Sequence, residues 1–63
     1  MMIGSVEIGE TVEMSGGWRY TLRFEIDDWG EIELQSVGVF RDPEAADQAG
    51  GRVAAILRQA VGV

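Results

Sequence analysis

Residues 18 to 26, WRYTLRFEI, alternate without a break. Trp18, Tyr20, Leu22, Phe24 and Ile26 share one parity, and Arg19, Thr21, Arg23 and Glu25 share the other. Period-two alternation rich in aromatic and β-branched residues is the pattern of a half-buried antiparallel strand. Residues 5 to 14, SVEIGETVEM, alternate too, with Val6, Ile8, Val12 and Met14 against Glu7, Thr11 and Glu13. Gly9-Glu10 interrupts that run and predicts a bend or bulge. Ser15-Gly16-Gly17 predicts the turn between the two runs. In residues 31 to 40, EIELQSVGVF, Ile32 and Leu34 continue the even apolar face, but Val37 and Val39 are odd. The slip predicts a bulge or strand end near residues 36 to 38.

The period then changes. Asp42 is placed to cap a helix, Pro43 suits its first position, and Glu44 complements the positive end of its dipole. Ala46, Ala49, Val53, Ile56, Leu57 and Ala60 recur at helical spacing and predict the buried stripe. Gly62 predicts the end. Gly50 and Gly51 fall inside the helix, where each costs about 1 kcal/mol relative to alanine. Close approach to the sheet, or to a second subunit, is the expected compensation. The predicted architecture is α+β: a three-stranded antiparallel β-sheet with one C-terminal α-helix packed on one face. It forms a single domain, residues 1 to 63.

The turn between the second and third strands carries the unusual composition. FEIDDWGEIEL, residues 24 to 34, sets Glu25, Asp27, Asp28, Glu31 and Glu33 around Trp29. Asp28-Trp29-Gly30 fits a three-residue loop with Gly30 in the left-handed region. That loop would oppose Asp27 to Glu31, Glu25 to Glu33 and Arg23 to Gln35, and place Ile26 on Ile32 and Phe24 on Leu34 beneath the helix. Like charges directly opposite are destabilising, where opposite charges contribute about 0.2–1 kcal/mol.

Composition narrows the chemistry that this face can perform. The 63 residues have a net charge of −6, with 11 acidic and 5 basic side chains. Every base is arginine, and neither cysteine nor histidine occurs. Such a balance argues against binding nucleic acid through its phosphates and permits binding to a basic protein surface, although acidic charge can also serve only to keep the protein soluble. So short a chain buries little surface, and oligomerisation, including a homodimer, is one route to added stability. No apolar run approaches the roughly 20 residues of a membrane span. The start, MMIGSVEIGE, lacks the basic region and apolar core of a secretory signal, so a cytoplasmic protein is expected.

Four uses of the acidic cluster compete. It can be a solvated face with no partner, since screening keeps its cost small. It can be a protein-binding patch, in which carboxylates at strand spacing imitate a row of phosphates and Trp29 anchors the contact. It can hold a divalent cation, although the spacing does not match an EF-hand and a flat face closes poorly round an ion. It can provide acid–base catalysis, which requires a cleft that a hairpin tip does not offer. Trp29 itself either folds back over the core or points outward, while Trp18, Tyr20 and Phe24 are expected in the core. Arg19, Arg23 and Arg41 can form a basic strip, or simply balance charge. Ser5, Ser15 and Ser36 have no histidine to activate them. No phosphate loop or metal-spaced cluster occurs. We therefore expect no enzyme activity, no cofactor and no metal.

The run SVGVFRDPEAADQA, residues 36 to 49, resembles the last strand and helix start of two families of three-strand-plus-helix DNA-binding domains. These are the ethylene-response-factor domain and the arm-binding domain of tyrosine recombinases. The matching residues are Gly38, Phe40, Glu44, Ala45 and Ala46, and the shared layout covers residues 18 to 60. Those families read DNA from the exposed sheet face. Arg19 and Arg23 occupy such a face here, together with Glu25, Glu31 and Glu33. In size, charge and layout the chain also resembles the small acidic inhibitors of phages and mobile elements, among them anti-CRISPR proteins. That resemblance implies a DNA mimic whose partner is a basic nucleic-acid-binding protein, such as a Cas effector subunit, in a bacterial host cell. The leading expectation is a non-enzymatic inhibitor that binds through Glu25, Asp27, Asp28, Trp29, Glu31 and Glu33. The second is a small structural or DNA-binding module that self-associates through Gly50 and Gly51.

Overall fold

A computed structural model describes residues 2–62; the two terminal residues of the predicted domain lie outside the described residues. The order of elements is β1 (Ile3–Ile8), β2 (Val12–Met14), β3 (Gly17–Arg19), β4 (Thr21–Ile26), β5 (Gly30–Gln35) and α1 (Pro43–Val61). Strands β1, β4 and β5 form a three-stranded antiparallel sheet in the order β1-β4-β5, and β2 pairs with β3 in a two-stranded ribbon. The fold is α+β, with a single helix among the described residues, at their C-terminal end, as the alternation and the change of period predict.

The two long runs are each divided. Gly9-Glu10-Thr11 separates β1 from β2, and Tyr20 separates β3 from β4. Ile8 faces Leu22, but Val12 faces Arg19, so three residues oppose two and the ribbon bends away from the sheet. Thr21 is buried at the bend, where its hydroxyl donates to the Glu10 carbonyl at 2.6 Å and its own carbonyl accepts from Gly9 N–H at 3.0 Å. The predicted interruption at Gly9-Glu10 is therefore this bulge. The phase slip after Leu34 is equally real. Ser36 N–H still donates to the Tyr20 carbonyl at 2.9 Å, but beyond it the chain leaves the ladder, the Ser36 hydroxyl donates to the Gly38 carbonyl, and Phe40 returns to exchange both backbone bonds with Trp18.

The helix begins and ends where its caps dictate. Asp42 has extended backbone angles, and its Oδ1 accepts from Ala45 N–H at 2.7 Å. Pro43 opens the first turn, and Gly62, at φ 78°, donates to the Arg58 carbonyl at 2.9 Å. The face against the sheet is narrower in side-chain size than the predicted stripe. Its buried residues are Ala46, Gly50 and Ala54, with Ala49, Val53 and Leu57 half-buried. Ile56 and Ala60, expected inside, are exposed. The stripe is rotated because the small residues permit close approach. A Cβ on Gly50 would lie 2.9 Å from Tyr20 Cβ and 3.0 Å from Tyr20 Cγ. Gly50 is thus committed to contact within the chain and is not available to join a second subunit.

Val6, Leu22, Phe24 and Ala54 form the buried core, flanked by Ile3, Tyr20, Ile26, Val53 and Leu57. The helix lies mainly along β1, with lesser contact to β3 and β4. It is therefore displaced to one side of the sheet, and every residue of β5 remains exposed. Among the described residues, no helix is long and apolar enough to cross a membrane.

Candidate functional site

The hairpin that carries the acidic cluster turns one position earlier than its composition predicts. Strand β4 runs through Ile26, and β5 begins at Gly30, so the loop is Asp27-Asp28-Trp29. Trp29 N–H donates to the Ile26 carbonyl at 3.1 Å. Asp28 takes a left-handed φ of 69°, and Gly30 takes 90°. Aspartate is among the few side chains that tolerate that region, and this is what allows the turn to start early.

The register consequently differs by two residues from the expected one. Glu25 faces Glu31, Arg23 faces Glu33, Phe24 faces Ile32 and Leu22 faces Leu34. An even shift leaves every side chain on its predicted face but changes its neighbour. One glutamate pair, Glu25 with Glu31, remains directly opposed. Arg23 Nη2 lies 3.7 Å from Glu33 Oε2, and Arg23 Nε lies 3.8 Å from Glu31 Oε1. These ion pairs are long and solvated, so each is worth less than about 1 kcal/mol.

All six expected residues lie on the exterior of the β4–β5 hairpin. Glu25, Asp27, Asp28, Trp29, Glu31 and Glu33 are exposed, and Trp29 is 75% accessible. Trp29 therefore points outward and does not cover the core. Asp27 N–H donates to the Met2 carbonyl at 3.0 Å, which ties the turn to the start of β1. A Cβ on Gly4 would lie 3.4 Å from Glu25 Oε1 and 4.0 Å from Asp27 Oδ1, so these two carboxylates converge above that glycine.

The pairing of β1 with β4 adds a residue that local reading of the hairpin misses. Glu7 is exposed and faces Arg23. A continuous register from the Ser15-Gly16 turn would set Glu7 against Phe24, polar against apolar. That conflict, with the bulge signal at Gly9, is the sequence feature from which its true position follows. Arg23 is thus flanked by Glu7 and Glu33 on neighbouring strands. Arg19 is half-buried in β3, with Nε buried and without a hydrogen-bond partner, so Arg19 and Arg23 do not form an exposed basic strip.

The resulting surface is open. Carboxylates recur about 7 Å apart along a strand and about 5 Å apart between strands. Among the described residues, no three acidic side chains are grouped so as to hold a metal ion. A shallow depression lined by Gly4, Ser5, Val6, Glu7 and Arg58 lies along β1. Such a surface can attract and orient positive charge. No protein-family model, curated protein or solved structure matches the chain.

Proposed function

We propose that the protein is a non-enzymatic inhibitor that binds, through this acidic face, a basic nucleic-acid-binding surface on another protein. The observation that supports the reading is a juxtaposition. Glu7, Glu25, Glu31 and Glu33 share one face of three adjacent strands, Asp27 and Asp28 extend it at the turn, and an exposed indole stands beside them. The carboxylates imitate the charge of a phosphate backbone and steer a cationic partner. Trp29 supplies an anchor of the kind that dominates interface energetics. The resemblance to anti-CRISPR proteins suggests a Cas effector subunit as the partner and the cytoplasm of a bacterial host as the setting.

A pull-down from bacterial lysate at low and high salt tests the reading. The baits are the native protein and a variant with Glu25, Asp27, Glu31 and Glu33 replaced by their amides. A nucleic-acid-binding protein should be retained by the native bait alone and released by salt. Capture of the same partner by both baits would refute a role for the acidic face.

A further inference from the structure

We infer that the free edge of β5 is a docking strand for an extended segment of a partner protein in which basic and apolar residues alternate. The inference rests on the proposed reading of the acidic face and specifies how that face engages its partner.

Backbone geometry provides the first support. Ser36 N–H donates to the Tyr20 carbonyl. Antiparallel ladders alternate bonded and non-bonded pairs. The backbone groups of Leu34 and Ile32 therefore point toward β4, while those of Glu31, Glu33 and Gln35 point away from the sheet. They form a row of donors and acceptors spaced to accept another strand.

The side chains define what that strand must carry. On one face of β5 stand Glu31 and Glu33, which match lysine or arginine at alternate positions of the incoming segment. On the other face, Ile32 and Leu34 are 43% and 54% accessible because the helix lies toward β1. They match apolar residues at the intervening positions. A second copy of the chain does not meet these requirements. The two registers of greatest overlap between β5 and its own copy centre on Ile32 or Glu33. The first sets Glu31 against Glu33, and the second sets Glu33 against Glu33, between chains that each carry a charge of −6. The glutamates thus disfavour self-pairing on the same edge where they favour a basic strand.

The test uses a fluorescein-labelled seven-residue peptide of alternating lysine and valine, followed by anisotropy, with the full 63-residue chain. Gln35→Pro removes one outward N–H without changing charge or the bonds to β4. It should weaken binding at least tenfold, as should the four-amide variant. Amide exchange at Glu31, Glu33 and Gln35 in the native protein should slow at least tenfold when the peptide is added, a readout independent of any variant. Unchanged exchange with peptide bound, or full affinity in Gln35→Pro, would overturn strand addition. The acidic-face reading would survive that result if the four-amide variant still lost binding. Full affinity in the four-amide variant would overturn both. Protection that grows with protein concentration in the absence of peptide would assign the edge to a second copy and overturn the proposal.

Discussion

Along β1, the outward carbonyl of Val6 accepts a 2.6 Å hydrogen bond from Arg58 Nε, and the helix runs over the strand. Along β5, at the opposite edge, all six residues are exposed, and the apolar side chains Ile32 and Leu34 meet solvent. Both strands pair with β4, and both offer it apolar residues on the same face. Only one of them is covered. The difference teaches that the open edge is not a general property of so small a sheet. The chain packs its helix mainly on β1 and satisfies the outward Val6 carbonyl with an arginine, whereas among the described residues β5 has no comparable cover.

The sharpest way to break that contrast lies in a single cross-strand pair. Leu22 and Leu34 face each other, at 5% and 54% accessibility. Leu22→Ala should cost about 2–5 kcal/mol, near the limit of what the domain can lose. Leu34→Ala should change stability by no more than about 0.5 kcal/mol. Urea unfolding of the two variants measures both, and equal losses would mean that β5 is as well buried as β4.

Arg58→Met tests the closed edge directly. It leaves the Val6 carbonyl without its charged donor while retaining an apolar stem against the strand. The expected loss is about 1.5 kcal/mol, at the low end for a charge-assisted bond because the site is only partly buried. No loss in thermal or urea unfolding would remove the arginine from the account of how β1 is closed.

The two helix glycines separate close approach from mere tolerance. Gly50→Ala gains about 1 kcal/mol of helix propensity but forces a Cβ against Tyr20, at an overpacking cost of about 1–3 kcal/mol. A net destabilisation of about 1 kcal/mol is expected. At Gly51 a Cβ would meet only Ile8 Cδ1, at an ordinary 3.5 Å. Gly51→Ala should therefore stabilise by about 0.5–1 kcal/mol. Melting temperatures that move in the same direction would contradict the packing described.

The smallest expected effect concerns the acidic face. Glu25→Lys places a cation opposite Glu31 and should stabilise by about 0.2–1 kcal/mol at low salt, the gain vanishing as salt is raised. If stability rises while partner capture falls, the opposed glutamates serve recognition at the expense of the fold. If neither changes, Glu25 is an ordinary solvated residue.

Much of this architecture is legible in the sequence, and the exceptions share a cause. Alternation identifies the faces of β4 and β5, and Asp42-Pro43 with Gly62 marks both ends of the helix, because these are local signals. Register is not local. The loop at Asp28-Trp29-Gly30 and the observed loop one position earlier assign the same side chains to the same faces, so the hydrophobic pattern cannot distinguish them. Periodicity also cannot say whether an apolar face is covered. Ile32 and Leu34 read as core, and Ile56 as part of the buried stripe, but the position of the helix is set by the fit of Ala46, Gly50 and Ala54 against the sheet. The acidic residues and Trp29 were recognisable as a group from their spacing, whereas Glu7 joins them only through the bulge at Gly9.

The stripe of small residues on α1 has a consequence for how long the molecule persists. It draws the helix close, and so the core contains few large side chains; Val6 and Thr21 are the largest that are fully enclosed. A chain of this length has a stability on the order of 3–9 kcal/mol. A partner that binds only the native state, present at one hundred times its Kd, would add about 2.7 kcal/mol. That is a large fraction of the whole, and proteolysis acts on the unfolded fraction. The turnover of the protein would then follow the abundance of its target: long-lived where the target is plentiful, quickly cleared where it is not.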